Sequence, residues 1–192
     1  MTVMPPTIDP HASREPSPWV VRHAALLAPQ ARVLDLAAGR GRHARHLASL
    51  GHDVVAVDRD AGALAALAGV ARVTTRVLDL EDGRWPLAGE RFDGIVVANY
   101  LHRPAFDPML DALSEDGVLI YETFAAGNEA YGRPSNPAFL LASGELIERV
   151  RGRLAVVSYE EGRVEHHGQV AVIQRIAAVG DRYRRPWPLT GA

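Results

Sequence analysis

Residues 33–47, VLDLAAGRGRHARHL, set Gly39 and Gly41 between a short apolar run and an amphipathic one. A strand that enters a glycine turn and leaves as a helix suits a nucleotide-like ligand. Glycine permits backbone geometry and close ligand approach that side chains forbid. The helix N-terminus adds free N–H groups and a partial positive charge. Asp58 ends the next apolar run, 17 residues beyond Gly41. A carboxylate there can accept hydrogen bonds from both hydroxyls of a ribose. Asp79 closes a third run, 21 residues beyond Asp58, and can accept a hydrogen bond from an adenine amino group. Asp35 lies inside the first run, where it can anchor an ammonium group through water or the loop backbone.

The glycine turn alone has more than one reading. GRGRHA, residues 39–44, also satisfies G-x-G-x-x-[GA], the dinucleotide fingerprint, with Asp58 as the ribose acid. A turn that joins strand to helix and binds nothing is the third possibility. Three features bear on the choice. A dinucleotide fold usually has an apolar residue where this chain has Asp35. Asp79 adds an adenine acceptor. The chain also closes on a predicted β-hairpin, without the separate substrate domain many dehydrogenases carry.

Further candidates follow the fourth and fifth apolar runs. Asn99, Tyr100, His102 and Arg103 come after GIVVA, and Glu122 and Thr123 after VLIY. His102 is a candidate base, since an imidazole titrates near neutrality. Tyr100 is a candidate wall of a substrate site. ANYL lacks the Asn-Pro-Pro-Tyr pattern of enzymes that methylate exocyclic amino groups of DNA bases, so such substrates are not expected. GNEAYGRPSNPAFLL, residues 127–141, is longer than most ordered connections and is expected either to cover a substrate or to be a simple surface connection. Glu129, Tyr131, Arg133 and Asn136 give it polar chemistry, and Tyr131 is the third catalytic candidate. His43 with His46, and His166 with His167, lack acids or cysteines at ligand spacing; they are expected to face solvent, with no metal site. Trp19 and the Ala/Leu pattern from Ala63 to Ala68 read as core.

The elements that must position these groups alternate. Helices are predicted over 18–28, 42–51, 60–69, 106–117 and 143–152, the last with Ser143 as N-cap. Strands are predicted over 31–36, 52–58, 73–80, 91–101 and 118–124, with a final antiparallel hairpin from LAVVSYEEG and GQVAVIQRIAAVG. Such alternation predicts an α/β fold, a mostly parallel sheet with helices on both faces. Ligands of these sheets sit beyond the carboxyl ends of the strands, where the strand order switches. Residues 1–17 read as a flexible arm, 18–180 as one domain and 181–192 as an irregular tail.

The composition, 47% hydrophobic and 23% charged, is that of an ordinary globular chain. A net charge of -2 argues against sequence-independent binding to nucleic acid. With no cysteine, disulfides, thiolate nucleophiles and Cys-ligated zinc are excluded, which fits a cytoplasmic location. The N-terminus has no signal-peptide core and no apolar stretch reaches the ~20 residues of a membrane span. Oligomeric state is open between monomer and homodimer.

With these residues in view, the chain resembles the class I S-adenosylmethionine-dependent methyltransferases over roughly residues 18–180. VLDLAAGRGRH resembles that family's first motif, VAVDRD its second and RVLDLED its third. FDGIVVANYL resembles its fourth strand, and LSEDGVLIYETF its fifth with the preceding turn. Within the family the chain looks most like the tellurite-resistance-type bacterial methyltransferases. The resemblance implies a Rossmann-like three-layer sandwich around a seven-stranded sheet whose last strand is antiparallel. It implies S-adenosylmethionine as cofactor, S-adenosylhomocysteine as product and a small-molecule methyl acceptor. The turn of Ala37, Gly39, Arg40 and Gly41 would lie against the methionine part, above Asp35. Asp58 with Arg59 would hold the ribose, Asp79 with Leu80 the adenine, and Asn99 the junction between adenosine and methionine. Ala37 replaces the family's first glycine, and its methyl either crowds the cofactor or sits harmlessly where φ stays negative. A cofactor-binding protein without transfer activity and an NAD-dependent oxidoreductase are the alternatives.

Overall fold

The computed structural model describes residues 15–166 and 169–183. Strand β1 (Arg32–Leu36) follows the short helix α1 (Pro18–His23) and leads through the glycine turn into helix α2 (Arg42–Ser49). Strands β2 (Asp53–Asp58) and β3 (Val73–Val77) are joined by helix α3 (Ala61–Leu64). Then come β4 (Phe92–Ala98), α4 (Phe106–Asp111), β5 (Leu113–Phe124), α5 (Glu145–Val150), β6 (Ala155–His166) and β7 (Gln169–Val179).

The seven strands form one sheet in the order β3-β2-β1-β4-β5-β7-β6. β1 pairs in parallel with β2 and with β4, and β7 runs antiparallel to both β5 and β6. The mostly parallel α/β class and the antiparallel last strand are those expected. The central strands are apolar on both faces because helices cover both. Leu34, Val55, Val57, Ile95 and Leu119 pack with Phe106 and Leu146 on one side. Val33, Val54, Ala56, Val96 and Ile120 pack with Trp19, Leu47, Leu64 and Leu67 on the other. The chain moves outward from β1 to β3 and then returns to β4 on the opposite side. The strand order therefore reverses between β1 and β4, the point beyond whose carboxyl ends such sheets take their ligands.

Local details depart from the sequence reading. The helix expected over 106–117 stops at Asp111, because Leu113 already pairs with Phe92 and the strand extends through an irregular stretch to Val118. Ser143 is not the N-cap of α5. Gly144 holds that position at φ +72, and the Glu145 carboxylate accepts the Ala142 N–H at 2.9 Å. The arm expected over 1–17 is docked where it is described: Ser17 is buried and caps α1 by accepting the Trp19 N–H. Residues 1–14 lie outside the described part. In the C-terminal segment, Tyr183 donates its hydroxyl to the Leu26 carbonyl at 2.7 Å, and 184–192 lie outside.

Candidate functional site

Residues 37–41 leave β1 as a turn with alternate residues left-handed: Ala37 at φ +55, Gly39 at +54 and Gly41 at +75. The condition under which the Ala37 methyl would be harmless, a negative φ, is therefore not met, and the methyl is held where glycine is favoured at roughly 1–2 kcal/mol less strain. The turn is pinned from the neighbouring strand, since the Ala38 N–H reaches the Val57 carbonyl at 2.9 Å. Gly41 is required twice over. Its φ disfavours side chains, and a Cβ there would meet Leu67 carbons at 2.4–2.5 Å.

Asp58, at the end of β2, is fixed by the same turn. One carboxylate oxygen accepts the Gly39 N–H at 2.7 Å and the other the Asp60 N–H at 2.9 Å. Each oxygen keeps a lone-pair direction for a further donor. Asp79 follows β3, is exposed and accepts the Glu81 N–H at 2.8 Å, again with acceptor capacity to spare. These acceptors suit a ribose beside Gly39 and an amino-bearing base farther along the sheet edge. Leu80 is buried in the core under that edge, and Arg40 and Arg59 are exposed at the rim.

Asp35 lies below the turn, 1% exposed, and accepts the Ala44 N–H at 2.9 Å. It thereby ties the first turn of α2 to β1. Burial pushes its carboxyl up to about 7, against the opposing pull of that hydrogen bond and Arg42. His43, expected in solvent, is instead 3% exposed, as one face of α2 turns into the fold. His46 is also partly buried, and burial lowers its pKa. Among the described residues no cluster of three or more potential metal ligands forms. His167 and the side chain of His166 lie outside the described residues.

Asn99 leaves β4 at φ +57 and donates its N–H to the Glu122 carbonyl at 3.0 Å, so the ends of β4 and β5 stay together. Asparagine tolerates this backbone region better than most residues. The Tyr100 hydroxyl is buried beside Glu81 and Asp79, and burial with that negative charge raises its pKa. A phenol so placed faces the edge near Asp79. His102 is half-buried in extended backbone at φ -133. Tyr131 is 40% exposed on the connection after β5.

That connection is more ordered than its composition suggests, and the residues that order it carry no motif. The buried Asn128 donates to the Pro134 carbonyl and accepts the Val172 N–H, both at 3.0 Å. Arg103 holds its far end. It grips Glu145 through two hydrogen bonds of 2.8 Å and donates to the Ala138 and Leu140 carbonyls at 2.9 and 2.8 Å. The fully buried Gln174 joins Leu146 N–H to the Ala142 carbonyl from β7. A guanidinium's planar fork makes such bonds and an ammonium cannot. Arg103→Lys is therefore expected to release the segment 138–145, with amide exchange there about 10-fold faster, an effect comparable to one charge-assisted hydrogen bond. Hydrogen exchange checks this, and unchanged protection would contradict it.

Residues 33–117 match the model of a methyltransferase domain family. No curated protein matches the chain. Among solved structures, TehB from Haemophilus influenzae superposes with a TM-score of 0.71 at 23% identity, covering 84% of this chain and 61% of that one. The chain thus spans about three fifths of that protein. The 1,6-didemethyltoxoflavin-N1-methyltransferase of Burkholderia thailandensis, with 1,6-didemethyltoxoflavin and S-adenosylhomocysteine bound, is 27% identical, covers 84% and 76%, and gives 0.61. The N-methyltransferase NodS of Bradyrhizobium japonicum in complex with S-adenosylhomocysteine is 17% identical, covers 90% and 95%, and gives 0.66.

Proposed function

Because the chain carries a class I S-adenosylmethionine-dependent methyltransferase domain, we propose that it transfers the cofactor's methyl to a small-molecule acceptor seated beyond β4 and β5. The observation that carries the cofactor half is the Asp58 carboxylate, fixed by the Gly39 and Asp60 amides beside the glycine turn. Asp58 accepts the ribose hydroxyls, Asp79 the adenine amino group, and the turn of Ala37, Gly39, Arg40 and Gly41 receives the methionine part. Asn99 closes the junction, with Arg59 and Leu80 flanking the nucleoside.

S-adenosylmethionine supplies a methyl on a sulfonium, ready for in-line displacement with a neutral thioether leaving. What remains for the protein is placement. Holding two reactants at near-attack distance contributes ~7–11 kcal/mol toward the barrier, whereas a general base adds ~10²–10⁴-fold. In this reading His102 takes a proton from the acceptor where one must leave, and Tyr131 covers the acceptor from the loop. Tyr100 walls the same site from the side of Asp79. A small acceptor agrees with the near-neutral net charge of -2 and with the 1,6-didemethyltoxoflavin bound in the Burkholderia structure.

Tyr131→Ala and Arg133→Ala are expected to reduce turnover about 10-fold, within the range of single positioning contacts, while cofactor affinity stays unchanged. Unchanged turnover in both removes the covering role of the loop. The activity itself is tested by incubating the chain with labelled S-adenosylmethionine and a metabolite panel, following S-adenosylhomocysteine. Cofactor binding without turnover on any acceptor would favour a binding protein. Calorimetric binding of NAD alone would overturn the cofactor.

A further inference from the structure

We propose that His43 is a positioning residue for the cofactor: by accepting the Ser17 amide hydrogen it straps residues 15–17 against the methionine end of the glycine turn. This assignment rests on the cofactor placement above. The strap has three ties, and two begin in the residues that follow Gly41. Arg42 Nη1 donates to the Glu15 carbonyl at 3.3 Å, and the Ser17 N–H donates to His43 Nε2 at 3.2 Å. The third runs to the end of β5, where the Ser17 hydroxyl meets the buried Glu122 carboxyl. Burial lowers the Arg42 pKa, against the opposing pull of the Glu122 and Asp35 carboxyls.

Geometry assigns the roles of the two imidazole nitrogens. Nε2 must present a lone pair to the Ser17 amide, so the ring proton sits on Nδ1, 4.0 Å from Asp35 Oδ1. Burial, then Arg42 and His46, hold the His43 pKa down to about 3, so the lone pair is available throughout the neutral range. Asp35 in turn holds the Ala44 N–H. One chain of contacts therefore runs from β1 through the first turn of α2 to the segment before α1. Fixing that segment fixes one wall of the methionine end, and releasing it costs the cofactor an ordered partner.

The test uses two polar replacements of different reach. In His43→Gln the side-chain amide stands near the former Nε2 and can still accept from Ser17. In His43→Asn it stands near the former Nδ1 and cannot. S-adenosylhomocysteine affinity of the full chain is measured by calorimetry, with circular dichroism and thermal unfolding to follow the fold. His43→Asn is expected to weaken binding about 10-fold, the equivalent of one buried hydrogen bond, while His43→Gln stays within about threefold. Amide exchange at Ser17 should accelerate in His43→Asn and not in His43→Gln. Equal affinity in wild type and His43→Asn, or equal losses in the two variants, overturns the assignment. Asp58→Ala is the control: if it binds as tightly as wild type, the cofactor placement fails and takes this assignment with it.

Discussion

Asp58→Ala is expected to lower affinity for S-adenosylmethionine and S-adenosylhomocysteine by about 10²–10⁴-fold while leaving the sheet intact. Each hydrogen bond to a charged acceptor is worth ~1.5–3 kcal/mol, and a ribose offers two. Their loss corresponds to that range of binding constants. The carboxylate is half-buried at the end of β2, and its only described partners are the Gly39 and Asp60 amides, at 2.7 and 2.9 Å. Neither is a core contact, so thermal unfolding should shift little. Asp58→Asn, which keeps an acceptor oxygen but loses charge, should fall between. Calorimetry with both nucleosides reads the effect. Undiminished affinity in the alanine variant would mean the ribose lies elsewhere.

The second large effect concerns stability. Gly41→Ala should destabilise the fold by ~3 kcal/mol or more. A left-handed alanine costs ~1–2 kcal/mol, and overpacking a filled core adds a further ~1–3 kcal/mol. The added Cβ would lie 2.4–2.5 Å from three Leu67 carbons, and Leu67 is only 2% exposed. Removing the obstruction separates the two terms. Leu67→Ala alone should cost ~2–5 kcal/mol through the cavity it leaves. In that background Gly41→Ala should cost only the backbone term. A double-mutant cycle in urea would therefore return a favourable coupling of ~1–3 kcal/mol. Strict additivity would mean that Leu67 does not limit the turn. Gly41 thus serves packing of α3 and its following turn against α2 as well as the cofactor loop.

The strand–turn–helix unit was legible in the sequence because its causes are local. Apolar runs such as VVAVD and GIVVA predict buried parallel strands, and the glycines and Gly51 mark where helices begin and stop. The methyltransferase motifs align on those same elements, so fold class, an antiparallel last strand and cofactor type follow from the resemblance they carry, whereas the strand order comes from the structure. Ala37 marks the limit of local reading. Its identity left open whether φ is negative or positive, and the turn pinned by the Ala38–Val57 hydrogen bond holds it at φ +55. Likewise, the acids and glycine at 115–117 read as a helix with its stop, yet pairing of Leu113 with Phe92 draws the segment into β5.

The acceptor side depended on contacts between distant residues. Arg103 carries no signature that separates a candidate at a strand end from a clamp on Ala138, Leu140 and Glu145, and only folding brings those 35 to 42 residues beyond it into reach. Asn128 and Gln174 look like ordinary loop and strand residues until their buried amides find backbone partners on other elements. His43 looked solvent-facing because helical periodicity says which residues share a face and not which side chain an arriving segment will cover. By itself, then, the sequence determined the alternation, the glycine turn and the acids at the strand ends, since these follow from short-range sterics and hydrophobic period. The tertiary structure decided which polar groups are buried and whom they meet. A buried donor or acceptor must be satisfied, and the partner that satisfies it is chosen by topology.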